Sequence, residues 1–178
     1  WMKVIEKIDE IPEHSIVLNG KEVEIRAGSI KHSKWTSKLN YNMEKLYRKK
    51  YHILTNEVGI LINKKPLLIL SADIVLVSKK KLKDISDRIL EIPPDLVIEI
   101  EKEKEEIDIE EKINYYSSIG IKKQIWVLLS KREVIVIEDN KRSIYSFDDE
   151  IEILEGKKLK FSDVEKEVLK WKQHFLIT

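Results

Sequence analysis

The sequence predicts an α/β fold in which a central mixed β-sheet is flanked by helices. Strand-sized apolar runs alternate with segments of helical periodicity. Short turn signals separate these segments, and no internal repeat or linker interrupts the series. This alternation is typical of helices packed on a sheet rather than of a helical bundle or a β-barrel. We expect residues 1–178 to form a single domain: an N-terminal hairpin and helix (1–50), a core (51–138), and a C-terminal hairpin and helix (139–178).

The first segments of the chain indicate a hairpin followed by a long helix. Asn19-Gly20 stands between apolar alternations within residues 17–23, which is a strong hairpin signal. A helix is then predicted over about 30–49 because apolar and aromatic side chains recur at helical spacing. These side chains are His32, Trp35, Leu39, Met43, Leu46 and Tyr47.

The middle of the chain predicts three strands and a second helix. Branched aliphatic residues favour strands, and Pro66 and Pro93-Pro94 mark the turns before two of them. A polar loop is expected over 79–88, and Gly120 stands where a helix C-terminal cap is expected. The predicted elements are strands at 51–62, 67–77 and 95–100 and a helix at about 107–119.

The last third of the chain predicts a buried strand, a hairpin and a terminal helix. Residues 125–129 are almost continuously apolar, as in a strand covered on both faces. Residues 133–138 and 143–147 are expected to pair through Asp139-Asn140. Residues 162–165 match a capping box, which opens a terminal helix.

Composition excludes several classes of protein. There is no cysteine, so disulfides, thiolate metal sites and cysteine nucleophiles are excluded, and a reducing cytoplasm is favoured. The apolar runs are too short to span a bilayer, and no secretion leader opens the chain. The 33 basic and 32 acidic residues give a net charge of +1, so any contact with nucleic acid must come from local patches. No glycine-rich phosphate loop or serine-hydrolase elbow is present.

Lys112 is an anomaly on the predicted helix 107–119. At about 100° per residue, Ile109, Tyr115, Tyr116 and Ile119 fall within roughly 60° of it. The lysine therefore lies inside the apolar stripe. Either carboxylates receive its ammonium group, or the side chain passes its neighbours to reach water.

Two acids stand inside apolar strands. Asp73 lies in the run 67–77 and Glu99 in the run 95–100. A carboxylate in such a strand is rare unless it is paired or binds a metal, although an edge strand with one wet face would explain each separately. With Lys112 they form a set that suits Mg²⁺ or Mn²⁺, which prefer carboxylates and water. The metal would activate a water and neutralise a scissile phosphate, while the lysine orients or deprotonates that water.

An ordered series of segments resembles the Uma-type restriction endonuclease family, within the PD-(D/E)xK nuclease superfamily. The matching block covers about residues 57–137. The segments are 73–77, 94–100, Asp108, Lys112, Tyr116, 120–121 and 125–127. The resemblance implies a restriction-endonuclease-like fold and an Mg²⁺- or Mn²⁺-dependent endonuclease that hydrolyses DNA phosphodiester bonds.

The resemblance also assigns roles to residues. Asp73 corresponds to the acid of the first motif and Glu99 to the acid of the second. Lys112 corresponds to the motif lysine relocated to the following helix, because Glu101 occupies its usual position. Glu57 resembles an auxiliary acid that binds metal or water, with a solvent-facing strand charge as the alternative. Tyr116 and Asp108 are auxiliary candidates, with a core position as the alternative for the tyrosine.

The sequence departs from the family pattern at three places. Ala72 replaces a proline, residues 101–106 replace a serine-proline segment, and residues 128–130 lack an Asp-Pro. An acidic segment beside Glu99 would repel DNA phosphates. These departures leave two alternatives: a non-catalytic binding or regulatory module of nuclease fold, and a protein in which the three residues form only a buried ion network.

The remaining predictions concern contacts with DNA, the role of His32 and the oligomeric state. Lys79, Lys80 and Lys81, with Lys49 and Lys50, are candidates for contacts with DNA phosphates, with solvated turns as the alternative. His32 is interpreted as a capping or packing residue. The sequence leaves the oligomeric state open; a homodimer is the candidate, because nucleases that cut both strands commonly act as symmetric dimers.

Overall fold

The computed structural model describes residues 4–25 and 27–177, with side chains up to residue 170. A short 3-10 helix (Ile8–Glu10) precedes the strands and the α-helices. The strands are β1 (Ser15–Leu18), β2 (Lys21–Glu24), β3 (Tyr51–Lys64), β4 (Leu67–Ser78), β5 (Leu96–Ile100), β6 (Lys123–Leu128), β7 (Glu133–Glu138), β8 (Lys141–Ser146), β9 (Glu150–Glu152) and β10 (Lys158–Lys160). The helices are α1 (Ile30–Tyr47), α2 (Ile109–Ser118) and α3 (Phe161–Ile177).

A mixed sheet of eight strands forms the centre of the molecule. Its main order is β2-β1-β4-β5-β6-β7-β8, and β3 pairs with β4. Only β5 and β6 are parallel among these neighbouring pairs, and α2 makes the crossover between them that parallel strands require. The predicted mixed sheet flanked by helices is confirmed.

Each face of the sheet packs against its own helices. Helices α1 and α3 cover one face through a core that includes Trp35, Leu39 and Phe161. Helix α2 covers the other face through a second core that includes Ile113 and Tyr116. Strands β4, β5 and β6 are therefore buried on both sides, as their nearly unbroken apolar runs predict.

Strand β4 has a gap along one edge. Strand β3 occupies one edge over nearly its whole length. On the other edge, β1 pairs at Ile69 and β5 pairs only from Ile74 onward. Among the described strands, neither β1 nor β5 pairs with residues 70–73 on that edge. This interruption places Asp73 at an opening in an otherwise continuous sheet.

The predicted hairpins are confirmed together with their turns. Asn19 and Gly20 join β1 to β2 with φ of 52° and 81°. Asp139 and Asn140 join β7 to β8 with φ of 49° and 65°. Positive φ at both central residues matches the twist of the flanking strands, which is why Asn, Asp and Gly are favoured there.

Several element boundaries differ from the predictions. Helix α1 ends at Tyr47, and β6 begins at Lys123 rather than residue 125. The short pair β9–β10 was not predicted, because three-residue strands carry little periodic signal. Helix α3 begins at Phe161, one residue before the predicted cap Ser162, since β10 leads directly into it. None of the described helices is long and apolar enough to span a membrane.

Candidate active site

Asp73 and Glu99 meet where β4 and β5 stop pairing. The β4–β5 register ends at Ile74 and Ile98, and the next residue on each strand is one of the two acids. The backbone N–H of Asp73 donates to Glu99 Oε1 at 2.8 Å, and the backbone N–H of Ile100 donates to Asp73 Oδ2 at 2.8 Å. Both residues are only 4% exposed. The carboxylates therefore lie together and replace backbone carbonyls as acceptors between the strands.

Helix α2 brings Lys112 and Tyr116 onto Glu99. Lys112 Nζ forms an ion pair with Glu99 Oε2, and the lysine side chain is 12% exposed. The Tyr116 hydroxyl lies 3.2 Å from the same carboxylate oxygen and 3.1 Å from the carbonyl oxygen of Ser71. Lys112 Nζ also lies 5.8 Å from the centre of the Tyr116 ring. The structure thus supports the interpretation in which a carboxylate receives the lysine.

A β-bulge in β3 directs Glu57 towards this cluster. Asn56 and Glu57 have φ of 65° and 57°, and they form the irregularity between the pairs Thr55–Ile74 and Val58–Ala72. Bulges of this kind re-aim a side chain and recur beside functional sites. Ser71 Oγ donates to Glu57 Oε2 at 2.8 Å. The Glu57 side chain is 18% exposed and pairs with Lys102, which favours the auxiliary acid over a freely solvated strand charge.

Two further basic side chains complete the cluster. His32 Nε2, on α1, lies 3.1 Å from Asp73 Oδ2. Lys102, in the segment after β5, places Nζ 2.9 Å from Glu57 Oε1. Each of the three central acids therefore has its own basic partner: His32 for Asp73, Lys112 for Glu99 and Lys102 for Glu57.

An open cleft of about 710 Å³ reaches this cluster from solvent. Asp73 and Glu57 line it from the sheet, and His32 lines it from α1. The opposite walls come from the β1–β2 hairpin and from polar residues of α1, among them Ser33, Ser37 and Asn40. Glu99 and Lys112 are not among the lining residues. A ligand in the cleft would meet Asp73 and Glu57 first.

The two motif acids have opposite pKa shifts. Burial raises the pKa of Glu99 to about 8, although the Lys112 ammonium acts against this shift. Burial also favours the neutral form of Asp73, but hydrogen bonds and the charge of His32 outweigh it and lower its pKa. Burial disfavours the ammonium of Lys112, but Glu99 outweighs that effect and raises its pKa. Paired acids with separated pKa values are typical of sites that move protons.

The donor atoms suit a hard divalent cation. Carboxylate oxygens on a cleft wall are the ligands that Mg²⁺ and Mn²⁺ prefer. Among the described residues, however, no three acidic or histidine side chains are arranged as a ready-made cage. The carboxylates are instead paired with Lys102, Lys112 and His32. The donor chemistry therefore fits the metal, and binding requires these pairs to rearrange.

Comparison with known proteins agrees with this fold. The family model described as "Uma2: Putative restriction endonuclease" matches residues 5–161. The chain belongs to this family. The fold is also that of a solved structure from Anabaena variabilis ATCC 29413, described as a "putative nuclease belonging to DUF820", with a TM-score of 0.79 and 14% identity. The match covers 93% of this chain and 98% of that one. No curated protein matches the sequence.

The restriction-endonuclease-like fold expected of a Uma2 member is confirmed, but one predicted auxiliary residue lies elsewhere. Asp108 is exposed and is the N-cap of α2, where its carboxylate accepts from the backbone N–H groups of Glu110 and Glu111. Its side chain stabilises the start of the helix that carries Lys112. The prediction of Asp108 as a site residue is corrected accordingly.

The predicted phosphate-binding lysines lie at another end of the sheet. Lys49 and Lys50 precede β3 and Lys79, Lys80 and Lys81 follow β4, where the Lys79 N–H donates to the Lys50 carbonyl. The end of β4 at Ser78 lies five residue steps from Asp73, about 16 Å at the rise of a strand. Lys81 is paired with Asp95 at 2.9 Å and Lys50 with Glu155 at 3.7 Å. These lysines do not line the described cleft.

Sequence reasoning missed His32 and Lys102 as members of the cluster. His32 lies on the buried face of α1 with Trp35 and Leu39, and this position among apolar residues is the same signal that singled out Lys112. Its ring pairs with Asp73, while Ser29 is the residue that caps the helix. Lys102 carries no such signal, because it stands in a run of alternating charges. Glu101, in the same run, accepts from Ser130 instead of joining the site.

Proposed function

We propose that this Uma2-family chain is an Mg²⁺- or Mn²⁺-dependent endonuclease that hydrolyses DNA phosphodiester bonds, with Asp73, Glu99 and Lys112 as its central residues. The observation that carries the proposal is the convergence of the three on one buried point beside a cleft. Acid-lysine clusters next to an open cleft suit hydrolysis of a phosphate ester. Family membership supports the nuclease class.

The shifts in pKa suggest how the protein groups divide the work. The raised pKa of Lys112 keeps a proton on Nζ, so this group orients water and donates a proton rather than accepting one. The lowered pKa of Asp73 keeps a negative charge on the cleft wall. In the hydrolysis, a water oxygen bonds to phosphorus, one P–O ester bond breaks, and the leaving alcohol takes a proton.

The metal would be held on the side of the cluster that faces the cleft. Asp73 and Glu57 line the cleft and offer carboxylate oxygens there, with Glu99 adjacent. A bound Mg²⁺ or Mn²⁺ supplies a Lewis acid that neutralises charge on the phosphate and activates water. Tyr116 and Ser71 fix the orientations of Glu99 and Glu57 through their hydrogen bonds.

The exposed face of α1 supports a polyanionic substrate. Lys31, Lys34, Lys38 and Lys45 fall within about 60° of one another on the helix. Glu44 is the only acid of α1, whose neighbouring face lines the cleft. Lysines grouped in this way match the phosphate backbone of DNA. Ser33 and Ser37, which precede Lys34 and Lys38 in the chain, line the cleft, whereas Lys79 and its neighbours do not.

A binding module without catalysis is the second candidate function. Its support is that the three central acids are already paired with basic side chains of the protein, as in a purely structural network. Incubation of supercoiled plasmid with Mn²⁺, Mg²⁺ or EDTA separates the two functions. The nuclease nicks or linearises the plasmid only with the metal, whereas a binding module shifts its mobility with every addition and cuts nothing. Sedimentation of the same sample tests the proposed homodimer.

A further inference from the structure

Lys102 Nζ occupies the position beside Glu57 Oε1 at which the proposed metal ion would bind. Its Nζ lies 2.9 Å from Glu57 Oε1, and its side chain is 12% exposed. A hydrogen bond of 3.0 Å from the Lys102 backbone N–H to Glu105 Oε1 closes the local loop and fixes the start of this side chain. Glu57 Oε2 accepts from Ser71 Oγ. Both oxygens of the carboxylate therefore already have a donor.

The two donors on Glu57 differ in what they permit. The Ser71 hydroxyl is neutral, so it can stay in place beside a metal-bound carboxylate. The Lys102 ammonium is a full positive charge, and at this degree of burial its repulsion of a divalent cation is poorly screened. Glu57 therefore does not accommodate both cations at these distances.

A second carboxylate offers the ammonium another position. Glu106 Oε1 lies 3.9 Å from Lys102 Nζ, four residues further along the chain. A lysine side chain has several rotatable bonds, so a small rotation moves the ammonium from Glu57 towards Glu106.

We propose that Lys102 is an internal competitor of the divalent cation: its ammonium holds Glu57 when no metal is bound, and metal binding moves it away from that carboxylate. This inference rests on the proposed metal-dependent function. It assigns a role to the segment 101–106, which departs from the family pattern. The departure supplies a cation that the metal displaces.

Calorimetric titration with Mn²⁺ tests the competition. Lys102→Met removes the ammonium and keeps the aliphatic side chain, so we expect Mn²⁺ to bind about tenfold more tightly, equivalent to one decade in Kd. Lys104→Met is the matched control, because it removes the same charge from an exposed position in the same loop. It should change the affinity less than about twofold. Lys102→Arg keeps the charge and should retain the parent affinity.

A double-mutant cycle separates competition at Glu57 from a general charge effect. In a Glu57→Gln background, Lys102→Met should no longer tighten Mn²⁺ binding, since the contested carboxylate is gone. Tightening that persists in that background, or that Lys104→Met reproduces, would overturn the inference. Thermal melts without metal establish that each variant is folded.

Failure of this inference is distinguishable from failure of the proposed function. If the parent chain binds Mn²⁺ and Lys102→Met leaves the affinity unchanged, only the competition is refuted. If no folded variant, including the parent, takes up Mn²⁺, metal dependence is refuted and the competition falls with it.

Discussion

Asp73 and Glu99 each accept a hydrogen bond from the backbone of the other's strand. Glu99 Oε1 accepts the N–H of Asp73 itself, and Asp73 Oδ2 accepts the N–H of Ile100, both at 2.8 Å. The two carboxyl groups therefore connect β4 and β5 where the strand pairing ends, and they also belong to the candidate site. Removing either side chain to alanine would leave a buried N–H without its acceptor, at a cost of about 1–3 kcal/mol. Amide variants are the better probes, because their oxygen still accepts.

Tyr116→Phe tests whether the hydroxyl orients Glu99. The variant removes the hydrogen bonds to Glu99 Oε2 and to the Ser71 carbonyl but keeps the ring in the core. We expect the free energy of unfolding to fall by about 1 kcal/mol. We expect plasmid cleavage to slow by about tenfold, as for other groups that orient a ligand. Urea denaturation and timed cleavage measure the two effects. Full cleavage by the destabilised variant would refute the orienting role.

His32→Gln tests the pair formed with Asp73 through its pH dependence. Burial disfavours the imidazolium, but the hydrogen bond and charge of Asp73 outweigh it and raise the pKa of His32 above its ordinary value of 6.5. A raised pKa means that the extra stability is fully present below pH 6.5 and is lost as pH rises through the folded value. The variant should therefore lose about 1–2 kcal/mol at pH 6 and less at pH 9.

Denaturation curves at both pH values measure this difference. An Asp73→Asn background supplies the control, because the pH-dependent part should disappear when the carboxylate is absent. A destabilisation by His32→Gln that is the same at pH 6 and pH 9 argues against a charged pair.

Gly59→Ala tests the packing next to the bulge that positions Glu57. A methyl group at residue 59 would lie 2.7 Å from Ile89 Cγ2 and 3.3 Å from Ile89 Cβ. Because a β-branched side chain is stiff, relief requires the backbone to move, and we expect a loss of about 1–3 kcal/mol. Ile89→Ala removes the opposing methyl. In that background, Gly59→Ala should therefore lower the free energy of unfolding by less than it does in the parent. Strict additivity in the thermal melts would contradict this account.

The lysines of α1 are expected to contribute more to DNA affinity than those beyond β4. Replacing Lys31, Lys34 and Lys38 with Gln should weaken binding to duplex DNA and lower the slope of its salt dependence by about one unit for each phosphate that is no longer neutralised. Replacing Lys79, Lys80 and Lys81 removes the same charge at the distant end of the strand. Fluorescence anisotropy at several salt concentrations compares the two triple variants. If replacing Lys79, Lys80 and Lys81 weakens DNA binding more, the α1 lysines are not the main DNA contacts.

The sequence predicts the fold and part of the cluster because their signals are local. Asp73, Glu99 and Lys112 each stand in an apolar context that is visible without coordinates. Whether the two acids share a face of the sheet depends on the register between β4 and β5. The alternation of residues within each strand does not determine that register. In the observed register Ile74 pairs with Ile98. Asp73 and Glu99 are the next residues beyond this pair, so they are neighbours across the two strands.

The remaining features depend on contacts between distant parts of the chain. Glu57 reaches the cluster only because of a β-bulge at Asn56 and Glu57. Nothing in the local sequence predicts this bulge. Lys123 begins β6 although it is charged, because the carbonyl and carboxylate of Glu152 receive its ammonium. Apolar periodicity does not detect a buried charge whose partner lies 29 residues away.

Plasmid cleavage by single-residue variants tests directly whether Asp73 and Lys112 take part in hydrolysis. With Mn²⁺ at neutral pH, Asp73→Asn and Lys112→Met should each cleave supercoiled plasmid about 100-fold or more slowly than the parent. The control Asp84→Asn replaces an exposed acid in the loop after β4 and should leave the rate unchanged. Metal-dependent cleavage that survives undiminished in both folded site variants would contradict the account.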